Sequence, residues 1–145
     1  MATERRADVT WNGSLTEGSG RIRSTTSGAL GEQQVTWASR SEDETGGRTS
    51  PEELIAAAHA SCFSMALSNG LAQDGHAPEA LTTSATVTFQ PGEGITKIAL
   101  TVEGRVPGLD DDGFRHAAEV AKENCPVSKA LASVPEITLD ATLAA

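Results

Sequence analysis

The stretch TSPEELIAAAHASCFSMAL, positions 49–67, constrains the fold of this 145-residue chain more than any other segment. Ser50, Pro51 and Glu53 stand at the N-cap, the first-turn position and the third position of a capping box, so a helix begins here. Glu52 and Glu53 also lie where the positive end of the helix dipole favours carboxylates. Downstream, LIAAAHASCFSMALSNGLA carries few polar residues on any face, which marks a buried helix, running to about Gln73 before Gly75. A helix of this kind needs other layers packed around it.

The remaining sequence supplies them. Between Asp8 and Arg40, the β-favouring pieces DVTW, GRIRSTTS and QVTWASR are separated by glycines, as in strands joined by turns, and SEDETGGR (Ser41 to Arg48) reads as an acidic loop. LTTSATVTF alternates Leu81, Thr83, Ala85, Val87 and Phe89 against Thr82, Ser84, Thr86 and Thr88, the pattern of a half-buried strand. After the turn QPGEG, ITKIALTVEGRV returns with Ile98, Leu100 and Val102 on one face, completing a hairpin. DDDGFRHAAEVAKEN opens on capping aspartates and places Phe114, Ala117, Ala118 and Ala121 at helical spacing. Cys125-Pro126 interrupts this helix, PVSKAL restarts a short turn, and ITLDATL closes the chain as a strand. The expectation is an α+β fold: antiparallel β-sheets around two main helices, the first central and buried. Residues 1–145 are expected to form a single domain, with no internal repeat.

With 38% hydrophobic but only 3% aromatic residues and no tyrosine, the core is thin, which favours additional burial against a second chain. A net charge of -9 repels phosphate, and no dense Lys/Arg run offsets it, which argues against nucleic acid and anionic membrane as partners. The start, MATERRADVTW, lacks the apolar stretch of a signal peptide, and the run from Leu54 to Leu67 is short for a membrane span and interrupted by His59 and two serines. The expectation is a cytoplasmic protein. In that reducing compartment its two cysteines are free, metal-bound or redox-active rather than a permanent bridge.

Cys62 lies on the small-residue helix, and Cys125 lies at the helix break, where the following turn's backbone N–H groups favour a thiolate. If the two helices pack together, the thiols sit side by side as an attacking and a resolving pair; two unrelated buried thiols fit the same spacing. His59, Cys62, His116 and Cys125 match no common zinc spacing, so no metal is expected. His59 reads as a packed core histidine, and His76 and His116 as loop and helix-surface residues.

TSPEELIAAAHASCFSMAL and NCPVSKAL closely resemble the two cysteine motifs of the OsmC family, osmotically induced proteins related to the organic hydroperoxide resistance (Ohr) proteins. The resemblance extends in order through WNGSLTEGSGRI, TTSGAL, ITKIALTVEG, VPGLD and EITLD. It implies a thiol-dependent peroxidase that reduces organic hydroperoxides, and hydrogen peroxide more weakly, in defence against oxidative and osmotic stress. Cys62 is then the peroxidatic thiol and Cys125 its resolver, with a sulfenic acid and a Cys62–Cys125 disulfide as intermediates. The resemblance further assigns Arg40 to hold the Cys62 thiolate and Glu52 to orient the guanidinium, with Arg48 and Glu53 as the alternatives. It implies no metal, haem or flavin, and regeneration by an external dithiol or a lipoylated protein.

Glu52 and Cys62 are ten positions apart, about 15 Å along one helix. If both serve one site, Glu52 comes from a second chain, which calls for an intertwined two-fold homodimer with active sites at the subunit interface. A non-catalytic module that uses the same scaffold to bind an apolar ligand is the competing expectation.

Overall fold

The computed structural model describes residues 1–144. They form two compact units, Met1–Leu54 and one beginning at Ile55, and the boundary falls inside the long helix.

In the first unit the turn-punctuated start forms strands β1 (Ala7–Asn12), β2 (Ser19–Thr25) and β3 (Gln33–Val35), paired antiparallel in the order β1-β2-β3. QVTWASR departs from its expected strand: only Gln33–Val35 is extended, and Trp37–Ser41 forms a short helix, α1. The cause is local. Thr36 is extended at the N-cap and its hydroxyl accepts from the Ser39 N–H at 3.0 Å, while the Ser39 hydroxyl accepts from the Thr36 N–H at 3.0 Å. These reciprocal bonds satisfy orphan donors of the first turn. Ser39, buried, also donates to the Thr49 carbonyl at 2.8 Å, and the Thr49 N–H donates to the Gln34 carbonyl at 3.0 Å. The segment leading into the next helix is thereby fixed against α1 and β3.

That helix, α2, spans Pro51–Gln73. The Ser50 hydroxyl accepts from the Glu53 N–H at 3.1 Å, as the cap signature predicts. The Glu53 carboxylate instead accepts from the Thr49 hydroxyl at 2.9 Å.

In the second unit, β4 (Ala80–Gln90) and β5 (Gly94–Arg105) form the expected hairpin, and the odd-numbered residues of β4 from Leu81 to Phe89 are the half-buried set. Ile98, Leu100 and Val102 of β5 are buried. The closing strand β6 (Glu136–Leu143) pairs with β5 in parallel, which corrects the expectation of antiparallel sheets. Between β5 and β6 the chain crosses over through helices α3 (Asp111–Asn124) and α4 (Pro126–Ala130), and a connection of that length returns a strand in the same direction. α3 is capped by Asp110, whose carboxylate accepts from the Gly113 N–H at 2.8 Å, and it buries Phe114, Ala118 and Ala121. The Phe114 ring sits over Gly104 of β5, where any Cβ would come within 2.5 Å of it.

On α2, the buried residues after the unit boundary are His59, Phe63, Leu67 and Leu71, spaced four apart, and the last three join Leu100 and Phe114 in the core. Burial within a single chain is thus confined to one stripe rather than all faces: Ala57, Ala58, Ser61 and Met65 are exposed, Met65 at 73%. With 23 residues and a mean hydropathy of 1.3, α2 is long and apolar enough to cross a bilayer by length and composition, because it runs six residues beyond the Leu67 limit of the apolar run. Its Phe63–Leu71 stripe nevertheless packs as a core helix does.

Candidate active site

Cys62 projects from α2, and Cys125 occupies the single residue that ends α3 and starts α4. The break follows from proline chemistry, since Pro126 has no N–H to continue α3 and suits the first position of a new turn. Cys125 donates its N–H to the Ala121 carbonyl at 2.8 Å and accepts from the Lys129 N–H at 3.0 Å, so its backbone belongs to both helices. The structure brings the two thiols together: both are free, and each is near enough to shift the other's pKa. Their exposure differs. Cys125 is fully buried, whereas Cys62 is half-buried and lines a cleft of about 680 Å³ with Met65, Ala66, His116, Val120 and Asn124. The cleft wall is largely apolar, and Met65 and Val120 are exposed along it.

Burial pushes the Cys62 thiol up; the backbone N–H of Val127 opposes this, and Cys125 beside it pushes it further up. For Cys125 burial is again the largest single influence and acts upward. Hydrogen bonds from the Ser128 N–H, the Cys62 thiol, the Ser128 hydroxyl and the Val127 N–H together outweigh it and hold Cys125 below the ordinary thiol value. Within one chain the shifts of the two thiols thus run in opposite directions, Cys62 upward and Cys125 downward. No lysine or arginine is among the described residues lining the cleft at Cys62, so no cation there offsets the cost of burial.

In the first unit, Arg40 on α1 meets Glu52 in the first turn of α2. Arg40 Nε lies 3.0 Å from Glu52 Oε1 and Nη2 lies 3.0 Å from Oε2, a bidentate pair. The Glu52 side chain is 7% exposed and that of Arg40 31%. Of the alternatives, Arg48 donates to the Gln34 side chain at 3.3 Å and Glu53 is engaged by Thr49. Arg40 also lines an apolar hollow of about 290 Å³ with Val9, Trp11, Leu15 and Trp37.

His59 is fully buried and its Nε2 lies 2.7 Å from the Ser128 hydroxyl oxygen. Burial lowers its pKa and favours the neutral ring. Among the described residues, no three His, Cys, Asp or Glu side chains are grouped as metal ligands. Ser128 is the side chain at this site that the sequence did not single out. A serine in a short helical turn is commonplace, and its partner His59 lies 69 positions away, so no local pattern points to it.

The family model of the OsmC-like proteins matches residues 43–140 of the chain. The chain is 44% identical over 143 residues to "Peroxiredoxin OsmC" of Escherichia coli (strain K12), covering 97% of this chain and 96% of that protein. Among solved structures, an organic hydroperoxide resistance protein OsmC from Legionella pneumophila superposes with a TM-score of 0.65 at 21% identity, covering 97% of each chain. The organic hydroperoxide resistance protein OhrB of Bacillus subtilis superposes with a TM-score of 0.63 at 23% identity, covering 96% of this chain and 98% of that one. At those identities the two structures speak for the fold alone.

Proposed function

This chain belongs to the OsmC family and is a thiol-dependent peroxidase, and from that premise we propose that it reduces organic hydroperoxides with Cys62 as nucleophile and Cys125 as resolver. The observation that carries the assignment is the pairing of two neighbouring free thiols, one at an apolar cleft and one fully buried. A hydroperoxide reaching the cleft meets Cys62 first. The Cys62 sulfur attacks the terminal peroxide oxygen; the O–O bond breaks, the alkoxide leaves and takes a proton, and Cys62 becomes a sulfenic acid. The Cys125 thiolate then attacks the Cys62 sulfur, the S–S bond forms, and hydroxide departs to become water. An external dithiol, such as a lipoyl group, reduces the disulfide and completes the cycle without metal, haem or flavin. A cytoplasmic setting suits this chemistry, because there the pair returns to free thiols.

The first attack needs a Cys62 thiolate, which a single chain disfavours. We assign the missing cation to Arg40 of the partner subunit, oriented by Glu52 of the partner subunit, in a two-fold homodimer. The bidentate Arg40–Glu52 pair, the rise of α2 between Glu52 and Cys62, and the exposed small residues Ala57, Ala58 and Ser61 on α2 support this reading. Consumption of tert-butyl hydroperoxide with dithiothreitol as reductant tests the function. Turnover lost in Cys62→Ser is the expected result, and no consumption by the parent protein overturns the proposal.

A further inference from the structure

The peroxidase cycle leaves one buried titratable group without a task. His59 stands one helical turn before Cys62 on α2, is 0% exposed, and contacts the Ser128 hydroxyl through Nε2 at 2.7 Å. Ser128 is itself buried and stands three residues after Cys125 at the start of α4, and its hydroxyl is among the groups that lower the Cys125 pKa. Ser128 therefore stands between a buried imidazole that it contacts and a buried cysteine at the cap of its own helix. At the far side of the ring, His59 Nδ1 is buried with no hydrogen-bond partner.

A neutral imidazole carries one N–H, and its position decides which way the single hydroxyl hydrogen of Ser128 turns. With the proton on Nδ1, an N–H donor is buried with nothing to accept it, and Nε2 draws the Ser128 hydrogen away from sulfur. With the proton on Nε2, the orphan is a lone pair, and under-satisfied acceptors are tolerated better than orphaned N–H groups. Nε2–H then fills a lone pair of the Ser128 oxygen, leaving the hydroxyl hydrogen for Cys125.

We propose that His59 is a positioning residue whose Nε2–H donates to Ser128 and so fixes the Ser128 hydroxyl as a donor to the Cys125 sulfur. The depressed pKa of His59, caused by its burial, agrees with the neutral ring this requires. The consequence is a resolving cysteine held ready as a thiolate, so that a sulfenic acid on Cys62 is short-lived. The inference rests on the reading of Cys125 as resolver and adds residues that act on its charge.

Two measurements test it. In the unmodified protein with ¹⁵N-labelled histidine, long-range proton–nitrogen correlations should show His59 as the neutral Nε2–H tautomer; the Nδ1–H tautomer or an imidazolium overturns the proposal. In full-length Cys62→Ala, where Cys125 is the only thiol, thiolate ultraviolet absorbance against pH reads Cys125 directly. His59→Leu and Ser128→Ala should each raise the midpoint by about one pH unit, the scale of one hydrogen bond to a charged group. The double variant should shift no further than either alone, and His59→Gln, whose amide can donate to Ser128, should restore most of the difference. Lys122, Glu123 and Lys129, which line a hollow beside Ser128, stay in place throughout, so their field is common to every titration. A folded His59→Leu with the parent midpoint overturns the role of His59, even if Ser128→Ala shifts. If His59→Leu does not fold, the tautomer decides alone. The titrations are made in Cys62→Ala and need no turnover, so failure of the parent protein to consume hydroperoxide would defeat the peroxidase reading without touching them, whereas an unchanged titration beside an active parent protein would defeat only the assignment to His59.

Discussion

Arg40 grips Glu52 with two nitrogens of one guanidinium, each 3.0 Å from a different carboxylate oxygen, and the carboxylate is almost fully removed from water. The planar fork is why lysine is a poor substitute here, since an ammonium reaches one oxygen at a time.

Arg40→Ala leaves the buried Glu52 carboxylate uncompensated. It should cost about 2 kcal/mol in urea unfolding, less than the loss of a fully buried pair because the guanidinium is partly solvated. With Cys125→Ser as background, the alkylation rate of Cys62 against pH should show its titration moving upward in Arg40→Ala. Arg40→Lys should fall between the two. An unmoved Cys62 titration would remove Arg40 from the site.

Mixing two inactive proteins tests the shared site. A hybrid of Cys62→Ser and Glu52→Ala subunits contains one site with both native residues, so activity should reappear once the chains exchange. Verified hybrids without activity would show that Glu52 does not serve the Cys62 of another subunit.

The two cysteines should differ in kind. Cys62→Ser should lose even the first turnover, because a hydroxyl does not replace a thiol as nucleophile under these conditions. Cys125→Ser should keep the first attack and accumulate a Cys62 sulfenic acid that a dione reagent traps. The parent protein, given one equivalent of hydroperoxide, should instead yield a Cys62–Cys125 disulfide in non-reducing mass spectrometry.

His59 predicts a pH dependence of stability. Burial lowers its folded-state pKa from the ordinary 6.5, so the unfolded chain binds more protons on the acid side. Its contribution is fully present above pH 6.5 and is lost as the pH falls from there toward the folded-state value, with a limiting slope of about 1.4 kcal/mol per pH unit. Urea midpoints measured between pH 7 and pH 5 should therefore decline more steeply in the parent protein than in His59→Gln. Parallel curves would contradict the assignment.

Gly104→Ala should destabilise the second unit by roughly 1–3 kcal/mol, because the new methyl group meets the Phe114 ring between two fixed elements. Thermal unfolding should register the loss, and Gly104→Ala combined with Phe114→Leu should recover part of it. A neutral Gly104→Ala would mean that α3 shifts freely over β5.

Features carried by neighbouring residues were legible in the sequence. The Ser50 cap and Pro51 start of α2, the alternating strand at Leu81–Phe89 and the break at Cys125-Pro126 all depend on contacts within a few positions. The two cysteine motifs were legible for the same reason, each lying within one continuous segment. Where local signals competed, the strand reading of QVTWASR gave way to the reciprocal cap between Thr36 and Ser39, which put Arg40 on a helix. Tertiary structure alone decided the parallel pairing of β6, because the direction of a strand is set by the crossover before it and not by its own residues. It also decided which arginine meets Glu52, that the Cys62 and Cys125 thiols are neighbours, and that His59 contacts Ser128. These partners are far apart in the chain, and a hydrogen bond at 2.7 Å leaves no trace in the local pattern of either residue.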